Sequence, residues 1–427
     1  MRLELAYGQH SLTVEVPDSA TVLSPRETPG LPDEIAALRQ ALRRPIASAP
    51  LRERVRPTDR VVIVFSDITR PMPNNRVLPV LLEELSHVPR ENILLLNGLG
   101  THRPQTRAEL EGMLGREIVK NYAIAQHDAF NRENLVELGV TQAGHRVYVN
   151  RQYYEADFKI VTGFIEPHIF AGFSGGPKGV MPGICGIELI MDNHGYALLS
   201  DPRATWGVIE GNPVWAEMRE VALMAPPDFL LNVTLNRHKQ LTGVYAGELW
   251  EAHRRGVAHA KEAAMVAVEE PFDVILVTNS GYPLDINLYQ AVKGMSCAAQ
   301  IVRPGGSIVI AAECRDGVPE HGEYRNIVHE AGSVEGIFKL VGQPGYRRHD
   351  QWEALLQARI QQVADVYVYC DRQSLPDEEV RGMLMEPCHD IEATLAQLLA
   401  KYGPGARLCV LPEGPQTIPY LTAKEGA

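Results

Sequence analysis

The sequence predicts an α/β protein of two domains, each with a mostly parallel sheet flanked by helices. Three observations lead there. The 427 residues exceed the size at which one hydrophobic core keeps growing. Short β-branched runs, apolar on both faces and bounded by turn residues, recur in the manner of buried parallel strands. Helix signals lie between several of them, and strand alternating with helix is the α/β pattern.

Taken in order, "MRLELAYGQHSLTVEV" alternates like a strand and lacks the apolar core of a signal peptide. The buried-strand runs are "VVIVF" (61–65), "NILLLNG" (92–98), "FKIVTG" (158–163), "FDVILVTN" (272–279), "GSIVIAA" (306–312), "VYVYC" (366–370) and "RLCVL" (407–411). "TRAELEGMLG" carries a capping box, Thr106 with Glu109, and a stop at Gly115. "GNPVWAEMREVALM" offers Asn212 as N-cap and Pro213 at the first helical position. The helix-like "ELWEAHRRGVAHAKEAAMVAVEE" gives way to "PFDVILVTN", which starts a fresh strand–helix series and puts the domain break near 265–272. Domains are therefore expected over 1–268 and 269–427, with the last ~20 residues packing back on the first domain.

A 45% apolar and 22% charged composition is that of an ordinary soluble globular protein. The net charge of −12 argues against a general nucleic-acid binder, though a local basic pocket for an anion is compatible with it. The longest apolar runs are too short to cross a bilayer. Six scattered cysteines without a Cys-x-x-Cys pair read as reduced thiols. A cytoplasmic enzyme, with neither a membrane nor a nucleic-acid partner, is the expectation.

In open α/β sheets, ligands bind beyond the carboxyl ends of the strands. The residues there form a polar set: Asp67, Thr69 and Arg70 after 61–65, His102 after 92–98, His168 after 158–163, and Tyr289, Gln290 and Lys293 after 272–279. They could meet in one cleft between the two domains. Plainer readings also exist: Asp67, Thr69 and Arg70 as helix caps, His102 as a loop histidine, Gln290 and Lys293 (i, i+3) as a solvated helix face. His194, in "MDNHGY", reads as a turn histidine or a metal ligand.

The stretch "GFIEPHIFAGFSGGPKGVMPGICG" (163–186) places Lys178 in a glycine-rich, largely apolar loop. It is no phosphate loop, because Pro177 removes an N–H that would cradle phosphate and Gly179 replaces the Ser/Thr. Glycines allow close approach of a bulky group, and apolar neighbours push a lysine toward its nucleophilic neutral form. Covalent attachment of a cofactor or substrate is one reading of Lys178; a surface lysine in a glycine turn is the other. No Gly-x-Gly-x-x-Gly follows a strand, and His-Glu-x-x-His and Gly-x-Ser-x-Gly are both absent.

Five blocks, "DITRP" (67–71), "GTHRP" (100–104), "EPHIFAGFSGGPKGVMPGICG" (166–186), "DNHGY" (192–196) and "YQAVKG" (289–294), together resemble the nickel-dependent lactate racemase family. The resemblance implies a nickel pincer nucleotide, pyridinium-3,5-bisthiocarboxylic acid mononucleotide, loaded by cofactor biosynthesis proteins. It implies that Lys178 holds this group covalently and that His194 completes the nickel coordination, with Asp67 and Thr69 on the cofactor side. It assigns His102 and His168 as the acid/base pair, Arg70, Gln290 and Lys293 to the bound anion, and Tyr289 and Trp352 to the substrate pocket. The implied reaction is racemisation or epimerisation of a 2-hydroxy acid by proton-coupled hydride transfer through a 2-keto acid, in a cleft closed by the two domains. Lactate is one candidate substrate, since the blocks do not fix what surrounds the substrate's side chain. A NAD-dependent oxidoreductase lacks its glycine fingerprint here, and a non-catalytic nucleotide carrier has little need of two histidines.

Overall fold

A computed structural model describes residues 1–320 and 322–422. The chain forms two compact units: Glu27–Asn193 with Arg203–Ala263, and Met1–Arg26 with His194–Pro202 and Ala264 onward.

The first unit is built on a six-stranded sheet. Its order is Leu241–Gly247, Phe229–Leu235, Phe158–Phe164, Val61–Ser66, Ile93–Gly98, Ala123–Gln126. Every pairing is parallel except that of the edge strand Leu241–Gly247. Val61 to Phe65 are all buried, as expected of a strand covered on both faces. Ile63, Phe65, Leu95, Ile160 and Leu231 form one core with Leu78 and Leu81 of the Asn74–Glu84 helix.

The helix signals act as the sequence suggests. Thr106 caps Arg107–Leu114 through a complete capping box, and Gly115 ends that helix at φ 89°. Asn212 accepts from the amides of Val214 and Trp215 at the start of Pro213–Met224.

The second unit holds a six-stranded, fully parallel sheet in the order Glu386–Pro387, Ala364–Tyr369, Val302–Ala311, Phe272–Thr278, Leu408–Leu411, Thr21–Val22. The N-terminal hairpin Arg2–Tyr7/His10–Glu15 supplies Leu5 and Val14 to the core of this unit. The units depart from a single cut near 268. Thr21 and Val22 extend this sheet beside Cys409 and Val410, which carries the first 26 residues into this unit. The helix expected to run to Glu270 stops at Ala264, and Met265–Val268 is a strand paired in parallel with Ile418–Leu421. Among the described residues no helix is long and apolar enough to cross a membrane.

The glycine-rich loop closes onto the first sheet through a small ribbon, Pro167–His168 against Gly172–Phe173, and a tight turn at Gly176–Gly179. Gly172 sits at φ +75°, and a Cβ there would lie 2.2 Å from the Val208 carbonyl oxygen. Only glycine fits both demands. Gly172→Ala should lower stability by about 2 kcal/mol or more, read as a shift in the urea midpoint. An unchanged midpoint would contradict this packing.

Candidate functional site

The parallel register Ser66↔Gly98 makes the Val61–Ser66 and Ile93–Gly98 strands end side by side. Asp67 and the 99–102 turn therefore leave the sheet together. Asp67 is 3% exposed, and its carboxylate accepts from His102 Nδ1 at 2.6 Å and from Thr69 Oγ1 at 2.8 Å. Burial alone would raise this carboxyl, but the bond and charge of His102, the charge of Arg70 and the Thr69 bond together hold it below its ordinary value. Asp67 is thus ionised at neutral pH, and His102 carries its proton on Nδ1. The lone pair of the neutral ring is then on Nε2, the arrangement of a base. Asp67 bonds to His102 Nδ1, and Thr69 Oγ1 lies 3.5 Å from the same nitrogen. The imidazole itself is accessible, with its side chain 44% exposed.

His168 lies in the ribbon and is held differently. Its Nδ1 accepts from the backbone amides of Phe170 at 3.5 Å and Ala171 at 3.3 Å. In the neutral ring the proton is then on Nε2, the arrangement of an acid. Both imidazoles are gripped at Nδ1.

Phe170, a residue the sequence reading passed over, links two parts of this site. Its ring stands edge-on to His168 at 4.7 Å and lies 5.7 Å from the Lys178 ammonium nitrogen. Burial in this apolar loop, aided by the charge of Arg70, pushes the Lys178 amine down to about 7. The turn that carries Lys178 is fixed from beneath: Asn232, fully buried on Phe229–Leu235, accepts from Gly176 N at 2.8 Å. The neutral His253, whose pKa burial lowers to about 4, donates to Ser174 O at 2.9 Å.

The other candidates lie in the second unit. His194 is buried, and its ring meets Trp352 edge-on at 5.7 Å. Trp352 Nε1 donates to Tyr289 Oη at 3.1 Å, tying the Gln351–Gln361 helix to the Leu288–Ala299 helix. Asn287 caps the latter, and one turn in, Lys293 Nζ donates to Gln290 Oε1 at 2.7 Å. The sequence reading missed three neighbours here: Asp350, Glu353 and Tyr324. An acid such as Glu353 early in a helix reads as solvated, yet Gln351 through Ala358 are all buried, because other helices pack around this one.

If Lys178 is as discharged as its surroundings dictate, amine-directed labelling of the apoprotein at graded pH should modify it with a midpoint near 7. Mass spectrometry of the Lys178 peptide reads this directly. A midpoint in the ordinary lysine range would overturn the assignment.

Comparison with known proteins places these features in a family. Residues 7–207 match the lactate racemase N-terminal domain, and residues 267–418 match the lactate racemase C-terminal domain. The chain is 33% identical over 422 residues to a lactate racemase of Thermoanaerobacterium thermosaccharolyticum, covering 97% of this chain and 98% of that one. It is 34% identical over 418 residues to a lactate racemase of Lactiplantibacillus plantarum, covering 96% and 98%. Among solved structures, the lactate racemase apoprotein of T. thermosaccharolyticum superposes with a TM-score of 0.91 at 32% identity, over 98% of this chain and all of that one. A Thermotoga maritima protein shares the fold at a TM-score of 0.70 and 20% identity, over 93% of this chain and all of that one.

Proposed function

The chain belongs to the lactate racemase family and is a racemase, an enzyme of the isomerase class; we propose that its substrate is lactate or a closely related 2-hydroxy acid. The observation that carries this reading is the pair of imidazoles in opposite proton states, His102 set by a carboxylate and His168 by backbone amides. Racemisation needs one group to take a hydroxyl proton and another to give one back on the opposite face, whereas a one-way dehydrogenase needs a single base.

For the cofactor we propose the nickel pincer nucleotide, and the residues present fit it. Lys178 supplies an amine close to neutrality, the attacking form that covalent attachment requires. His194 supplies a buried imidazole for the metal. No cluster of three or more His, Cys, Asp or Glu side chains gathers as a metal site among the described residues. The chemistry the group would supply when bound is reversible acceptance of hydride from C2 of the substrate. Cofactor-making proteins are the partners that would load it.

The protein's own part is binding and proton handling. Arg70, Lys293 and Gln290 hold the substrate carboxylate, with Tyr289 and Trp352 beside them. His102 Nε2 removes the hydroxyl proton from one enantiomer, and His168 Nε2 holds the proton that the returning alkoxide needs. When the reaction runs from the other enantiomer, the two rings exchange roles.

The deciding experiment is to produce the protein together with the cofactor-making proteins and follow the optical rotation of single enantiomers of 2-hydroxy acids. Racemisation of lactate or a close analogue is expected, and its loss in both His102→Ala and His168→Ala. No racemisation across the panel, with cofactor shown to be attached, would sink the proposal. Asp67→Asn keeps the size of the side chain but removes the charge that holds His102 Nδ1–H. It should lower kcat by ~10²–10⁴-fold with little change in folding. An Asp67→Asn enzyme with wild-type kcat would show that the carboxylate does not set the proton state of His102.

A further inference from the structure

Three amide side chains that the reaction above does not use meet at the far end of the turn that carries His102. The Ile93–Gly98 and Ala123–Gln126 strands pair in parallel with Asn97 opposite Gln126, so both side chains stand on one face at the carboxyl edge of the sheet. Asn97 Nδ2 lies 3.5 Å from Gln126 Oε1 and donates to Gln105 Oε1. Gln126 and the Gln105 backbone exchange bonds in both directions. Gln105 N donates to Gln126 Oε1 at 2.7 Å, and Gln126 Nε2 donates to Gln105 O at 2.8 Å. Gln105 Nε2 in turn donates to Arg103 O at 3.0 Å, one residue beyond His102.

We propose that Gln126 is a positioning residue for His102: by clasping the Gln105 backbone it fixes the turn so that the imidazole meets the Asp67 carboxylate through Nδ1. The inference rests on the reading of His102 as a proton-transfer residue.

The near end of the turn is held by its own backbone, with Gly100 N donating to Gly183 O at 3.0 Å and His102 N to Leu99 O at 2.9 Å. Beyond His102 the turn is also tied by the Arg103–Glu109 ion pair, but the arginine side chain is 65% exposed and pairs of that kind hold little. The amides differ in burial. Asn97 is fully buried and Gln105 nearly so, and a bond broken there leaves a buried polar group unsatisfied. The His102 side chain is open to solvent, so its direction depends on the backbone beneath it and on its bond to Asp67. That bond is 2.6 Å long, and a shift of about 1 Å in the turn would carry it out of hydrogen-bonding range.

The test uses Gln126→Met, which keeps the length of the side chain and removes both bonds, and Gln126→Ala, which removes them with less bulk. Gln126 is half-buried on an edge strand, a place where either change is compatible with folding. In apoprotein carrying ¹⁵N-labelled histidine, the His102 signals are those lost in His102→Gln. At alkaline pH they should show the proton on Nδ1 in the wild type and a mixture of tautomers in both variants. In cofactor-loaded protein kcat should fall ~10–10²-fold in the variants, with KM changed by less than about twofold. A merely structural role would lower the urea midpoint and leave the His102 tautomer and kcat as in the wild type, and that result overturns the proposal. If Gln126→Met does not fold, the Gln126→Ala spectrum decides in the same way. A wild type that racemises nothing, while the tautomer shifts in the variants as expected, counts against the reading of the reaction and leaves the positioning of His102 established.

Discussion

Asn232 Oδ1 meets the N–H of Gly176 at 2.8 Å in a place where neither group sees solvent, and the lysine-bearing loop is assembled around that contact. An amide buried without such a partner costs about 1–3 kcal/mol, so the bond fixes the turn as much as it stabilises it. The approach is close enough that a Cβ on Gly175 would lie 2.6 Å from the same Oδ1. Once the turn is pinned to the Phe229–Leu235 strand, Lys178 has one place to go: over Phe170, within apolar surroundings that strip it of water. The nucleophilic character of the amine is therefore a consequence of backbone packing several residues away. The same loop carries His168, whose Nδ1 bonds to the amides of Phe170 and Ala171 exist only because the chain doubles back between Pro167 and Phe173.

The two histidines are held in opposite ways. Both are anchored at Nδ1, but the anchors have opposite polarity. A carboxylate fixes the His102 proton on Nδ1 and also stabilises the ring when it becomes an imidazolium. Backbone N–H groups do the reverse at His168, since they favour the tautomer with a bare Nδ1. The carboxylate anchor is supported further by Thr69 and by the register of two adjacent parallel strands, so its geometry is inherited from the sheet. The amide anchor belongs to a loop held in shape by glycines. In the reaction proposed above, a catalyst that works from either enantiomer would have both proton states ready before substrate arrives.

Much of this was legible in the sequence, for reasons that can be named. Val61–Phe65 and Val274–Val277 announce themselves because a parallel strand buried on both faces has no room for polar residues. Thr106, Gly115 and Asn212 are legible because capping is local chemistry. The site residues stand out because they follow such strands. What escaped reading depends on distant partners. Thr21–Val22 is too short for any periodicity and is a strand only because Cys409 and Val410 lie beside it. Met265–Val268 continues a helical pattern without a breaker, and its pairing with Ile418–Leu421 decides its state. Asp67 was visible as a carboxylate at a strand end, but nothing local says that its partner is an imidazole 35 residues on. Glu353 was hidden for the converse reason: an acid in the first turn of a helix reads as solvated, and only the packing around its helix makes it buried.

Lys178 and Glu353 are moved by the same force in opposite chemical directions. Desolvation disfavours whichever form is charged, so it lowers the amine to about 7 and raises the carboxyl to about 8. Both are drawn toward their neutral forms. The same desolvation therefore acts on a base in the first unit and on an acid in the second, and in each it works against the charged form whatever its sign.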